Sequence, residues 1–203
     1  FENIYFENET LEFGKTLDNW VINNVLFKVL YPAEFHGQSA VEAAVQLADE
    51  YQSKQNSIKD IVIETHEPAI RIISNKDILN NPSDRDHSLE YMVAAALLFN
   101  DVTSESYEES FHGFQDIEKL RKKIIVKENP EFTETYYQFE KREIANSIYL
   151  NYEDGSKSEK ITVRYPLGHP KRRDEALPLI KEKFIKNTSN HFDQDKADKI
   201  WNS

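Results

Sequence analysis

The sequence predicts an α+β fold, in which a small mixed or antiparallel sheet packs against helices. Residues 147–152 and 160–165 alternate between apolar and polar side chains on either side of Asp154-Gly155, a pair typical of hairpin turns. Elsewhere apolar residues recur at helical spacing, most clearly over 84–99. Strands and helices alternate irregularly, without the strand–helix–strand rhythm of a doubly wound sheet, and this favours α+β.

The first predicted elements are an extended segment and a helix. Residues 20–31 are apolar and predicted to be extended, ending at Pro32. Ser39 and Glu42 have the spacing of a capping box, which predicts a helix that begins at Ser39 and ends near Tyr51. Its expected core stripe is Val41, Ala44, Val45 and Ala48.

Short extended segments are predicted next. Alternation over 58–66 predicts a strand, and 70–73 is predicted to be a second extended piece after Pro68. Farther along, the patterns predict short helices over 106–111 and 115–123, a strand over 124–126, a turn at Asn129-Pro130 and a helix over 172–187.

The helix predicted over 84–99 carries the densest group of polar side chains. Pro82 and Ser83 are typical of a helix start, with Ser83 as the expected N-cap. Its expected core stripe is Leu89, Met92, Val93, Ala96 and Leu97. Asp84, His87 and Tyr91 then fall on a neighbouring face, where they could contact a ligand. Spacing alone fits a well-capped, solvated helix turn at least as well as a binding site.

Composition limits the classes of function. The net charge of −11 opposes binding to nucleic acid or anionic membranes, and no apolar run reaches the roughly 18 residues of a membrane span. There is no cysteine, so neither a disulfide nor a thiolate-held iron–sulfur cluster is possible within these 203 residues. The six histidines lack the spacing of a metal site. We therefore expect a cytoplasmic protein without metal or cofactor.

Several segments together resemble one family. They are FKVLYPAEFHGQSAVEAA at 27–44, IETHE at 63–67, AIRII at 69–73, DRDH at 84–87 with YMVA at 91–94, and YPLGH at 165–169. In order and without large gaps, from about residue 19 to about 192, the chain resembles the C-terminal part of the MmgE/PrpD family.

The resemblance implies a domain organisation. Residues 1–203 are expected to be the family's C-terminal α+β domain, with an α+β core over about 20–165 and a C-terminal helical segment over 166–203. Terminal helices would belong to a helical domain that is largely missing from this chain. The family also implies a homodimer, although no coiled-coil seam is visible in the sequence.

The implied activity is that of a hydro-lyase. Such an enzyme removes water from the tricarboxylate 2-methylcitrate to give 2-methyl-cis-aconitate in propionate breakdown, here by acid–base groups of the protein without a metal. This chain alone is expected to be nearly inactive. Two alternatives stay open: a family member that decarboxylates or epimerises another small carboxylate, and a non-catalytic dimerisation module.

The candidate site residues combine the resemblance with helix geometry. The expected catalytic residues are His87, Tyr91, Lys28 and His36, and the expected substrate-binding residues are Asp84, Arg85, Gln38 and Arg71. Resemblance to a cis-aconitate decarboxylase of the family supports His87 and Tyr91, whereas the choice between Lys28 and His36 stays open. We expect two helix N-termini, at Gln38-Ser39 and Ser83-Asp84, to face one cleft in which Lys28 and Arg85 counter the substrate's charge.

Overall fold

The computed structural model describes residue 21 and residues 24–203. Within them lies one four-stranded sheet, formed by β1 (Ile58–Thr65), β2 (Ile124–Glu128), β3 (Asn146–Tyr152) and β4 (Ile161–Val163). The strand order is β2-β1-β3-β4; β1 and β2 are parallel, and the other two pairs are antiparallel. The predicted α+β class with a small mixed sheet is confirmed.

Eight α-helices lie within residues 25–203. They are α1 (Phe35–Lys54), α2 (Glu67–Ile73), α3 (Pro82–Asp86), α4 (Leu89–Phe99), α5 (Phe114–Leu120), α6 (Pro130–Tyr137), α7 (Arg173–Thr188) and α8 (Gln194–Trp201). Short 3-10 turns occupy Gln55–Ser57, Ser104–Tyr107, Arg121–Lys123 and Pro170–Arg172. The predicted helix over 172–187 corresponds to α7.

The core lies between one face of the sheet, α1 and α4. Ile61 and Ile63 of β1 pair in register with Leu150 and Ile148 of β3, and all four are fully buried. Helix α1 contacts β3, β4 and α4. Residues 89–97 of α4 are all buried, and the predicted core stripe of this helix is confirmed. Because α4 is apolar on nearly every face, it is enclosed on all sides rather than along one stripe.

Helix α1 begins earlier than the sequence predicts. Its N-cap is Glu34, whose side chain accepts a hydrogen bond from the backbone N–H of His36, so the capping box expected at Ser39 is wrong. The Ser39 hydroxyl lies inside the helix and donates to the carbonyl of Ile144. A carboxylate at the first turn satisfies free N–H groups and interacts favourably with the helix dipole, which explains the earlier start.

The segment before α1 joins no sheet. Residues 25–34 contain neither helix nor strand, and residues 20, 22 and 23 of the predicted extended segment lie outside the described residues. The prediction is wrong at Val21 and Asn24, which are helical; the Val21 carbonyl accepts from the N–H of Val25 at 2.9 Å. The backbone N–H of Phe27 donates to the carbonyl of Gly168 at 3.1 Å. A Cβ at Gly168 would lie 1.6 Å from the Phe27 carbonyl oxygen, so only glycine allows this approach.

The predicted strand over 58–66 is confirmed as β1, but the extended piece predicted over 70–73 is wrong. Those residues belong to helix α2. His66 caps this helix, because its Nδ1 accepts a hydrogen bond from the N–H of Ala69 at 3.1 Å. Pro68 lies in the first helical turn, where its missing N–H costs nothing.

The helix predicted over 84–99 is two helices. Helix α3 is capped by the side chain of Asn81 rather than Ser83, and α4 is capped by Ser88, whose hydroxyl accepts from the N–H of Tyr91 at 3.3 Å. The chain leaves helical geometry at His87. The break places Tyr91 and His87 on separate helical segments, so the shared face predicted for Asp84, His87 and Tyr91 does not form.

Other predictions have mixed outcomes. The strand over 124–126 and the helical stretch over 115–123 are confirmed, whereas 106–111 contains only part of a 3-10 turn. Asn129-Pro130 opens helix α6 instead of a turn, because the Asn129 side chain accepts from the N–H of Glu131. The hairpin of β3 and β4 is confirmed, with Gly155 at φ +85°.

Candidate functional site

A carboxylate and an imidazole are paired at the start of α1. The two carboxylate oxygens of Glu34 lie 2.9 and 3.1 Å from Nδ1 of His36, and each side chain is 16% exposed. A carboxylate accepts but does not donate, so Nδ1 carries the proton and Nε2 of the neutral ring is an acceptor. That nitrogen lies 3.1 Å from the Tyr136 hydroxyl, which donates to it.

A second imidazole lies beside this pair. The ring of His66 is 5.4 Å from that of His36 and 4.7 Å from that of Tyr136, measured between ring centroids. Glu34, His36, His66 and Tyr136, here called the His36 cluster, come from the segment before α1, from α1, from the end of β1 and from α6. The cluster therefore lies where α1, α2 and α6 meet one end of the sheet.

Hydrogen bonds from neighbouring residues fix the first turn of α1. Asn146, at the start of β3, donates from Nδ2 to the carbonyl of His36 at 2.9 Å and to the Ser39 hydroxyl at 2.8 Å. Gln38 donates from Nε2 to the carbonyls of Tyr31 and Ala33 at 2.9 and 2.6 Å. These bonds restrain the loop and helix start that carry Glu34 and His36.

Helix α6 is held against β1 and α2 by two bonds. The N–H of Asn129 donates to the carbonyl of Thr65 at 2.8 Å, and the N–H of Glu67 donates to the Thr133 hydroxyl at 2.9 Å. This places Tyr136 over two histidines that lie far from it in the sequence.

The pKa values of Glu34, His66 and Tyr136 are shifted in different directions. Burial opposes ionisation of Glu34, but the hydrogen bonds and charge of His36, together with the field of His87, hold the pKa of Glu34 below its ordinary value. Burial, reinforced by the charge of His36, lowers the pKa of His66 to about 4. Burial also raises the pKa of Tyr136. At neutral pH the cluster thus contains an ionised carboxylate, a neutral His66 and a neutral phenol.

The charge of His87 is the smallest of the contributions that lower the pKa of Glu34. The side chain of His87 is 54% exposed, and Nδ1 lies 2.5 Å from a carboxylate oxygen of Asp86. The ring of His87 is thus accessible to solvent. The expectation that the two helix starts face one cleft stays a prediction.

Tyr91, in contrast to His87, is not accessible to solvent. Its side chain is fully buried in the core, and its hydroxyl donates to the carbonyl of Ser106 at 2.7 Å. Burial raises the pKa of Tyr91 to about 12. The prediction that His87 and Tyr91 lie on one accessible face is therefore wrong. Helical geometry is interrupted between α3 and α4, and α4 is enclosed on all sides.

Arg85 and Asp84 also have structural contacts. Arg85 is 1% exposed and donates to the carbonyl of Tyr107 at 2.6 Å and to Glu109 at 3.0 Å, so its predicted placement against a substrate in a cleft is wrong. Asp84 accepts from the N–H of Asn80 at 2.8 Å. Both side chains stabilise the turn around α3.

The other predicted binding residues are dispersed. Gln38 is buried and bonded to the preceding loop, as described above. Arg71 is exposed and forms an ion pair with Glu67 one helical turn earlier, at 3.0 Å. Lys28 is exposed, with its ammonium 5.7 Å from the centre of the Phe35 ring, next in sequence to His36. The catalytic and binding roles of all these residues stay predictions.

Sequence patterns missed three of the four cluster members. Glu34 and Tyr136 were not candidates, and His66 looked like an ordinary strand residue. One signal was present: Asn129 followed by Pro130 is a frequent helix start, and it would have predicted α6 and hence Tyr136 on a helix. Within the described residues there is no group of three metal-ligating side chains, and no helix there is long and apolar enough to cross a bilayer.

Sequence comparison identifies the family to which this α+β domain belongs. Residues 31–203 match the family model described as the MmgE/PrpD C-terminal domain, and the chain belongs to the MmgE/PrpD family.

Three relatives from bacteria and yeast are named 2-methylcitrate dehydratase. The chain is 44% identical to 2-methylcitrate dehydratase of Escherichia coli over 195 residues, which cover 95% of this chain and 40% of that protein. It is 40% identical to 2-methylcitrate dehydratase of Cupriavidus necator, with the same coverage. It is 36% identical to the mitochondrial 2-methylcitrate dehydratase of Yarrowia lipolytica over 98% of this chain and 39% of that protein. The chain thus spans about 40% of the length of these relatives.

Proposed function

We propose that the complete protein removes water from 2-methylcitrate to give 2-methyl-cis-aconitate, a step of propionate breakdown by the methylcitrate cycle, and that this chain supplies an acid–base group. The family and the names of the relatives support the reaction class. The observation that carries the proposal is the contact between Glu34 and His36 Nδ1 at 2.9 Å, which leaves Nε2 as a base.

Dehydration needs such a group. A C–H bond next to a carboxylate breaks as a base takes the proton, its electrons form the carbon–carbon double bond, and the hydroxyl group leaves with a proton as water. His36 would take the carbon-bound proton at Nε2. The ionised Glu34 then stabilises the imidazolium that forms and keeps the ring in the required tautomer.

Two accessible cationic or titratable groups would assist. His87 has an exposed ring and would donate the proton to the leaving hydroxyl. The exposed Lys28 ammonium would attract a substrate carboxylate. Tyr136 now occupies the hydrogen-bonding position on His36 Nε2, and a bound substrate would replace its hydroxyl there.

The remaining features of the proposal follow from the family. We propose that acid–base groups of the protein carry out the reaction without a metal. We also propose a homodimer in the cytoplasm. Retention of activity after dialysis against a chelator tests the first statement. The mass of the complete protein in solution tests whether it is a homodimer.

Substitution of His36 tests the role of this chain. In the complete protein we expect His36→Gln to lower kcat on 2-methylcitrate by about 10² to 10⁴-fold, because the proton acceptor is lost. Glu34→Gln should lower kcat by about 10 to 100-fold, since a charge-assisted hydrogen bond is lost. Thermal unfolding of each variant shows whether it folds.

His191→Gln is the matched control, because His191 is exposed between α7 and α8. Its kcat should equal that of the parent. Full activity of folded His36→Gln would contradict the proposed role. The same assay on citrate and cis-aconitate, with detection of CO2, distinguishes a dehydratase from a decarboxylase of the family.

A further inference from the structure

His66 has a buried ring N–H without a hydrogen-bond partner among the described residues. Its Nδ1 accepts from the backbone N–H of Ala69 at 3.1 Å, so in the neutral ring the proton is on Nε2. Nε2 is buried and has no hydrogen-bond partner among the described residues. Buried donors in folded proteins are nearly always paired. The N–H therefore indicates a partner outside the described residues.

Two more buried polar atoms without a partner belong to residues near His66 in the sequence or in the sheet. They are Oγ1 of Thr65 and Oδ1 of Asn146, both buried and without a partner in the described part of the chain. Thr65 precedes His66 and is the register partner of Asn146 across β1 and β3. Since Asn146 also donates to the carbonyl of His36, these atoms concentrate beside the His36 cluster.

Tyr136 covers this group. Its ring lies 4.7 Å from that of His66, its hydroxyl is bonded to Nε2 of His36, and it is partly exposed whereas His66 is not. Movement of the Tyr136 side chain toward solvent would uncover Nε2 of both imidazoles together. A ligand that replaced Tyr136 would then meet a hydrogen-bond acceptor on His36 and a donor on His66.

We propose that His66 is a substrate-binding residue, whose Nε2–H donates a hydrogen bond to a carboxylate oxygen of the tricarboxylate that His36 deprotonates. The inference rests on the proposed function, to which it adds a residue. The bond would hold one carboxylate so that the neighbouring C–H faces His36.

The electrostatic state of His66 suits this role. Because its pKa is about 4, the ring is neutral near pH 7 and donates from Nε2 without placing a second positive charge beside His36. A hydrogen bond from a neutral N–H to a carboxylate is charge-assisted and stronger than one between two neutral groups.

Two substitutions separate binding from capping. His66→Asn places a side-chain oxygen near the position of Nδ1, so it keeps the cap of α2 but lacks the Nε2 donor. His66→Gln places its amide near the position of Nε2, so it keeps a donor there but loses the cap. A purely structural role of His66 and a binding role predict opposite rankings of these variants.

The test measures binding by the complete protein. The probe is propane-1,2,3-tricarboxylate, which lacks the hydroxyl group and so cannot be dehydrated, and its Kd is measured by calorimetry. We expect His66→Asn to raise the Kd by about 10 to 100-fold while its unfolding temperature stays near that of the parent. His66→Gln should bind more tightly than His66→Asn and unfold at a lower temperature.

An unchanged Kd in His66→Asn, or no binding of the probe by the parent, would overturn the inference. The proposed function fails on different data, namely no turnover of 2-methylcitrate by the parent or full turnover by His36→Gln. Binding that depends on His66 in a protein without dehydratase activity would leave the binding role intact and reject the reaction.

Discussion

The two neighbouring histidines of the His36 cluster differ in burial, and this suits them to different roles. His36 is partly exposed and paired with a carboxylate, so it suits proton transfer. His66 is fully buried, has a pKa of about 4 and serves as a helix cap and a neutral donor. Neither difference is visible in the residue type, since it depends on what surrounds each ring.

Tyr91 belongs to the core, and its substitution should affect stability alone. Tyr91→Phe removes the hydroxyl that donates to the carbonyl of Ser106 and should lower the free energy of unfolding by about 1 kcal/mol. The kcat of the complete protein should not change. Urea denaturation and the dehydration assay measure the two quantities.

Tyr137→Phe is the control, because Tyr137 is 62% exposed and should lose less than about 0.5 kcal/mol. A large loss of kcat in Tyr91→Phe without any loss of stability would show that the phenol acts in catalysis.

His66 should make stability depend on pH. Its pKa is 6.5 when unfolded and about 4 in the native protein, so the unfolded state binds the proton first as the pH falls. The free energy of unfolding therefore decreases from pH 6.5 toward pH 4, by on the order of 3 kcal/mol from this group. Urea denaturation of the parent and of His66→Asn at several pH values isolates the effect. Parallel declines in both proteins would contradict it.

At the scale of elements, capping residues determine where the helices begin. Helix α1 starts at Glu34 instead of Ser39, and the predicted long helix divides at His87 into α3 and α4. Both differences arise because a local side chain satisfies backbone N–H groups better at another position. The division matters for function, since it leaves His87 accessible while Tyr91 is buried.

The cap of α3 can be tested with a matched pair. Asn81→Ala should lower the free energy of unfolding by about 1 kcal/mol, because the Asn81 side chain accepts from the N–H of Asp84 at 2.9 Å. Ser83→Ala, at the cap predicted from the sequence, should have almost no effect. Denaturant titration measures the free energy of unfolding of the two variants. A larger loss in Ser83→Ala than in Asn81→Ala would show that Ser83 is the cap.

At the scale of the whole molecule, this chain spans about 40% of the length of the relatives it matches. In our proposal it supplies one acid–base pair and a neutral donor at one end of its sheet. A tricarboxylate needs further groups to bind its other carboxylates and to exclude water. We propose that the rest of the complete protein provides them.

The isolated 203-residue chain should therefore turn over 2-methylcitrate at least about 10²-fold more slowly than the complete protein, because positioning supplies much of the rate. Circular dichroism of the isolated chain is the control for folding. Equal turnover by the two proteins would show that this chain holds a complete site.

Much of the fold could be predicted from neighbouring residues. Alternation over 58–66 and 147–152, the Asp154-Gly155 turn and the apolar residues 124–126 predicted all four strands, and the apolar spacing of α4 predicted its core residues. Such patterns are local, since strand and helix periods and turn chemistry need only a few adjacent positions. The predictions were wrong where more than one nearby side chain could cap a helix. Glu34 is the N-cap instead of Ser39, and Asn81 is the N-cap instead of Ser83.

The sequence by itself determined the α+β class and the family. It also made His36 and His87 candidates for catalysis, and their roles stay predictions. Only the tertiary structure decided that Tyr91 is enclosed in the core and that Tyr136 reaches His36 across 100 residues. Periodicity describes which side of an element is apolar, but it does not say what covers the other side. That depends on how α1, α4 and α6 pack against the sheet, and packing joins residues that are distant in sequence.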